Sequence, residues 1–121
     1  MIGYATVGTN DFERAARFYD ALLGDAFGAK RAFALDRFIA WSAGGSMFSI
    51  AKPYDGKPAT VGNGVMIALA ATSKEHVDKI YKKAIELGGT DEGPPGPRGD
   101  GFYAGYFRDL DGNKLNAFFI G

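Results

Sequence analysis

The chain has 121 residues, enough for one compact unit or for two small halves that share a core. Fourteen basic residues balance fourteen acidic ones, so there is no basic surplus of the kind that attracts nucleic acid or an anionic membrane. There is no cysteine, which excludes disulfides, thiolate metal sites and cysteine nucleophiles.

Ile2 to Gly8 alternates and carries β-branched residues at Ile2, Thr6 and Val7, which predicts a strand. A helix follows. Asn10 can cap it, and Glu13 three residues on completes a capping-box variant that satisfies free amide donors. Phe12, Ala15, Ala16, Tyr19, Leu22 and Leu23 fall on one helical face, and Gly24 is the expected stop. Short strands are expected near Ala29 to Leu35, Arg37 to Ala43 and Ser46 to Lys52, with Gly44-Gly45 parting the last two. Lys52 to Asn63 is rich in Pro and Gly and reads as a connection.

The order then recurs. Gly64 to Ala71 predicts a strand, and Thr72-Ser-Lys-Glu75 matches a capping box. The helix it opens carries Val77, Ile80, Tyr81, Ala84 and Ile85 on one face and stops at Gly88-Gly89. A short strand is expected near Thr90 to Glu92, followed by a flexible loop, GPPGPRGDG, from Gly93 to Gly101. Phe102 to Phe119 (FYAGYFRDLDGNKLNAFF) then reads as a hairpin, because Asp-Gly between two alternating aromatic-rich runs favours a tight turn. Shifting the first half by 62 positions puts Tyr4 on Met66, Asn10 on Thr72 and Tyr19 on Tyr81, and a shift of 67 puts Gly44-Gly45 on Asp111-Gly112. These matches indicate an internal repeat of strand, helix and three strands, with 1–52 as the first half, 53–63 as the connection and 64–121 as the second. Neither half can bury its sheet face alone, so the halves are expected to pair within a single domain.

A duplicated βαβββ unit with TNDFERAARFYDALLG (Thr9 to Gly24), PYDG (Pro53 to Gly56), VGNGVMIALAA (Val61 to Ala71) and YFRDLDGNKLNAFF (Tyr106 to Phe119) resembles the glyoxalase/bleomycin-resistance/dioxygenase superfamily, also called vicinal oxygen chelate proteins. The likeness covers essentially the whole chain. It implies an α+β fold in which the strands of the two halves curl into an open, barrel-like cup around a ligand, with the helices outside. It also implies a divalent metal held by inward side chains of the first and last strands of each half. Counting from Asp11, from Asn113 and through the repeat, those positions are here Tyr4, Ser49, Met66 and Asn116. A phenol, a hydroxyl, a thioether and a neutral amide are poor donors for such a metal, so no metal and no cofactor is expected. The single histidine, His76, falls in the first turn of the second helix and reads as a surface residue.

Alternation with those four positions puts Ile2, Thr6, Met47, Ala68, Lys114 and Phe118 on the same faces, a mostly apolar lining that suits an uncharged or aromatic ligand. The competing reading is that Tyr4 and Met66 simply fill a collapsed cup. Trp41 lies in a strand whose two faces are both apolar; it can stack on a planar ligand or pack in a core or dimer interface. Arg108 can clasp an anionic ligand or form an ion pair with a neighbouring Asp such as Asp109. Tyr19 and Tyr81 read as packing residues, and Arg98 and Asp100 belong to a loop that is either inert surface or a mobile lid.

The candidate ligand-binding residues are therefore Tyr4, Trp41, Met47, Ser49, Met66, Arg108 and Asn116. The leading expectation is a metal-free protein that binds a small aromatic or amphipathic molecule. The alternatives are an enzyme of the family's lyase, isomerase or dioxygenase kind with altered chemistry, and a structural domain with a collapsed cup. A homodimer is what the resemblance implies. No stretch approaches the roughly 20 apolar residues of a membrane span, and the start, MIGYATVGTND, lacks a signal peptide's pattern. No membrane or nucleic-acid partner and a cytoplasmic location are expected.

Overall fold

The computed structural model describes all residues, 1–121. The chain divides into two compact units, Met1–Val61 and Gly62–Gly121. The first unit runs β1 (Tyr4–Gly8), α1 (Phe12–Phe27), β2 (Lys30–Ala34), β3 (Phe38–Ser42) and β4 (Met47–Ala51). The second runs β5 (Ile67–Ala70), α2 (Lys74–Glu86), β6 (Thr90–Pro97), β7 (Phe102–Arg108) and β8 (Lys114–Ile120). Their sheets are ordered β1-β4-β3-β2 and β5-β8-β7-β6. In each, the first strand lies parallel to the last and the other pairs are antiparallel. The fold is thus α+β, two βαβββ repeats, and neither sheet closes on itself.

The helix caps correct the sequence expectation by one residue. Asp11, not Asn10, caps α1, its carboxylate accepting from the Arg14 amide at 3.1 Å. Asn10 is occupied elsewhere: its amide donates to the Ala59 carbonyl at 3.0 Å and accepts from the Ala59 N–H at 2.6 Å, clasping the 52–61 segment to the start of the helix. In the second unit Ser73, not Thr72, caps α2, accepting from the His76 amide at 3.0 Å. The two true caps still stand 62 positions apart, since 11 + 62 = 73, so the repeat survives the correction. Gly24 does not stop α1; the helix runs to Phe27 and ends where Gly28 takes the left-handed conformation, φ 64°.

The expected loop after Glu92 is also corrected, because β6 continues through Gly-Pro-Pro-Gly to Pro97. It is the edge strand of its sheet, so the missing proline N–H groups leave no inner neighbour unpaired, and its pairing to β7 slips at Gly93 and Gly96.

Each unit buries its core between helix and sheet. In the first, Tyr19 of α1 packs on Trp41 and Phe48, with Leu22 and Ile50 fully buried; in the second, Val77 and Ile80 of α2 lie buried, as do Phe107, Leu115 and Ala117. No helix is long and apolar enough to cross a membrane.

Candidate functional site

Contacts to the helices decide which sheet face is left open. In the first unit Tyr19 of α1 packs on Phe48 with centroids 4.5 Å apart and on Trp41 at 5.8 Å. The Trp41 indole N–H donates to the Asp20 carboxylate at 2.8 Å, and the residue is only 2% exposed. Sequence alternation left Trp41 undecided; the structure puts it on the helix side, where it anchors α1 and takes no part in the open face. Asp20 also receives Nε and Nη2 of Arg31 at 3.0 and 2.7 Å, tying β2 to the same helix.

The Arg31 pair, with the Trp41 N–H helping, holds the Asp20 carboxyl below its ordinary range against the opposing cost of its partial burial. A carboxylate lowered on folding stabilises fully above its unfolded pKa, about 3.9, and that contribution is lost as pH falls through the folded value. Asp20→Asn should therefore make acid unfolding less steep below about pH 4, read from Trp41 fluorescence. An acid limb identical to that of the parent protein would refute the linkage.

By alternation Tyr4, Thr6, Phe38, Ala40, Met47 and Ser49 face away from α1. Two contacts bear this out: the Thr6 and Ser49 hydroxyls lie 2.6 Å apart, and the Tyr4 ring meets Phe38 edge-on at 6.0 Å. Ser49 donates onward to the Ala5 carbonyl at 2.9 Å and is fully buried, whereas Tyr4 is 56% exposed. Next to this face a groove of about 580 Å³, bordered by Thr6, Phe38, Arg37 and Ala59, opens beneath the 52–60 segment.

In the second unit Tyr103 donates to Asp78 of α2 at 2.6 Å, which sets Tyr103, Gly105 and Phe107 toward the helix. Phe102, Ala104, Tyr106 and Arg108 face the other way, with Lys114, Asn116 and Phe118 of β8. The Phe102 and Phe118 rings stack at 5.8 Å, and the Lys114 ammonium lies 5.5 Å from the Tyr106 centroid. Asn116 pairs with Tyr106 on one side and Ala68 on the other. It is 1% exposed, and its Oδ1 has no hydrogen-bond partner. Met66 stands just before β5 and is half-exposed.

Arg108 is committed, but not to Asp109. Its guanidinium holds Glu92 at 2.9–3.0 Å and donates to the Gly112 carbonyl at 2.9 Å. Asp109 instead accepts the amides of Asp111 and Asn113 and the Asn113 side chain, tying the turn together. His76 is more than a bare surface residue, since its Nδ1 accepts from the Thr72 amide at 3.0 Å.

Tyr106 and Arg98 stand together on the open face of the second unit, the Arg98 guanidinium 5.5 Å from the Tyr106 centroid, although neither is among the candidate ligand contacts expected from the sequence. Tyr106 was findable, because a five-residue turn from Asp109 to Asn113 sets it opposite Asn116. Arg98, read as part of a loop, left no local signal.

The sequence matches the family profile described as glyoxalase/bleomycin resistance protein/dioxygenase superfamily over residues 1–117. The chain belongs to this superfamily. Among solved structures, a glyoxalase/bleomycin resistance protein from Albidiferax ferrireducens T118 is 41% identical with a TM-score of 0.90, over 98% of this chain and 97% of that one. A hypothetical protein from S. aureus is 26% identical with a TM-score of 0.76, over 98% and 92%. A lactoylglutathione lyase from Agrobacterium tumefaciens, 22% identical with a TM-score of 0.73 over 98% and 92%, shares the fold. None of the proteins of curated function matches the sequence significantly.

In this superfamily member the four positions of the expected metal quartet fall two in each unit. Tyr4 and Ser49 share the open face of the first sheet. Asn116 lies on that of the second, and Met66 directly precedes β5. Nowhere does the chain gather three or more His, Asp or Glu side chains in an arrangement that could hold a metal ion.

Proposed function

We propose that this glyoxalase/bleomycin-resistance/dioxygenase superfamily protein binds a small aromatic or amphipathic molecule on the sheet faces turned away from its helices. The observation that carries the reading is Asn116: a buried carbonyl acceptor without a partner, on a face it shares with Phe102, Phe118, Tyr106 and Ala104 and with the cations Lys114 and Arg108. Leaving such a group unsatisfied costs roughly 1–3 kcal/mol, and a ligand donor would recover it. Aromatic walls with a few placed polar groups are the usual composition of small-molecule sites.

The reading assigns no divalent metal to the family positions. A phenol, a thioether and a neutral amide bring no charge, and the Ser49 hydroxyl already donates to Ala5 and bonds Thr6. These side chains do not fit the ion, and no step is routed through one. The protein is further proposed to form a homodimer, on its likeness to the superfamily.

A screen of small aromatic and amphipathic compounds against the ¹⁵N-labelled chain tests the reading. Binders should move the Asn116 side-chain amide, and Asn116→Leu should weaken them by about tenfold. A screen without a binder on this face would sink it. On the same sample, near one equivalent of Ni, Zn, Mn or Fe by elemental analysis would refute the metal-free assignment. Light scattering should report twice the 12.9 kDa chain mass; a monomer at micromolar concentration would refute the dimer.

A further inference from the structure

We infer that the ligand is an amphipathic anion, a carboxylate with an adjacent hydroxyl or N–H donor, and that Lys114 and Arg98 select it from either side of Tyr106. The inference rests on the reading that this face of the second unit takes a small molecule. The register places the parts in a row, with Gly93 of β6 opposite Tyr106 and Tyr106 opposite Asn116. Lys114 precedes Asn116 by two residues on β8, so it rises from the same face about 7 Å away along the strand. Its ammonium lies 5.5 Å from the Tyr106 ring centroid, and the Arg98 guanidinium lies 5.5 Å from the same centroid.

The guanidinium is held in place by its own segment. It donates to the Pro94 carbonyl at 2.6 Å and the Pro97 carbonyl at 3.3 Å. Glycine makes this possible: a Cβ on Gly93 or Gly96 would stand 3.3 or 3.1 Å from a guanidinium nitrogen. Neither cation is neutralised by a carboxylate. Glu92, on the same strand, is taken by Arg108, and Asp91 by the Tyr81 hydroxyl at 2.7 Å. In a chain with fourteen charges of each sign, two unpaired cations about one ring make a local positive field.

Beside that field lies the unpartnered Oδ1 of Asn116, which asks for a donor. A bare anion pressed against it would meet an acceptor, and a cation would meet Lys114 and Arg98. Only a ligand with both a negative group and a neighbouring O–H or N–H satisfies the two demands together. The stacked Phe102 and Phe118, two residues further along β8 from Asn116, offer the apolar body its surface.

The test compares 3-phenyllactate with 3-phenylpropanoate, which lacks the hydroxyl, and with 3-phenyllactamide, which lacks the charge. Each is titrated into the ¹⁵N-labelled full chain while the Asn116 side-chain and Tyr106 backbone resonances are followed. Phenyllactate should bind about tenfold or more tightly than either analogue, and added salt should weaken it. Lys114→Met and Arg98→Met should each weaken phenyllactate by about tenfold while leaving phenyllactamide unchanged. Equal affinity for phenyllactamide and phenyllactate would overturn the selection for an anion, yet leave small-molecule binding intact. Equal affinity for phenylpropanoate would overturn the donor requirement at Asn116. If none of the three moves these resonances at about ten times the concentration of a hit from the compound screen, the inference is also wrong, while that hit keeps the broader reading standing.

Discussion

Replacing Trp41 by Ala should cost about 3–5 kcal/mol of folding stability, the range for emptying a buried Trp or Phe site. The side chain is 2% exposed, touches Tyr19 and Phe48, and gives its only N–H to Asp20. Two losses therefore add: the cavity, and the tether from β3 to α1. Trp41→Phe separates them, since it keeps most of the ring volume and drops the hydrogen bond, and should cost about 1–2 kcal/mol. Urea unfolding measures both. A ligand-stacking Trp would behave in the opposite way, with binding lost and stability kept. A cost below about 1 kcal/mol for the Ala variant would mean that Trp41 does not anchor the helix.

Asp109→Ala should be the next most damaging change, at about 2–3 kcal/mol. Asp109 is 5% exposed and accepts from two backbone amides and the Asn113 side chain, all within 3.0 Å. Without it the turn keeps the 2.9 Å bond from the Asp109 amide to Asn113 and the positive φ of Gly112, 91°, but three donors lose their acceptor. The consequence reaches the candidate site, because this turn sets the register that puts Tyr106 opposite Asn116. Hydrogen exchange in β8 should speed up along with the loss of stability, and Asp109→Asn, which keeps an acceptor, should be milder. Unchanged exchange at Leu115 and Ala117 in the Ala variant would show that the strand register is held by something else.

The two effects belong to different layers of the molecule. Trp41 acts between sheet and helix, where aromatic packing and one hydrogen bond to Asp20 hold α1 in place. Asp109 acts at the end of a hairpin, where a carboxylate replaces water for amides that would otherwise be stranded. Trp41 lies on the helix side of the first sheet, so its variants leave the binding tests at Lys114, Arg98 and Asn116 untouched, whereas Asp109→Ala should weaken binding together with the register.

Local chemistry made the elements and the repeat legible. Helical spacing marked α1 and α2, Gly and Asp marked the turns, and the Asp-Gly signal marked the last hairpin; Asn116 was singled out within it by the family resemblance. What stayed hidden depended on partners far along the chain. Asn10 gave up its cap to Asp11 because Ala59, 49 residues away, engages its amide. Ser49 is closed by Thr6 across 43 residues, and Trp41 found its face only when Asp20 and Tyr19 came against it. The Pro- and Gly-rich stretch after Glu92 became a strand because it lies at a sheet edge, where a missing N–H is tolerated. Periodicity and turn residues act over a few positions, so the sequence alone determined the βαβββ repeat and the register of its last hairpin. Which polar groups are satisfied, which are left open, and where Arg98 comes to rest against Tyr106 are set by long-range packing, and only the tertiary structure decided them.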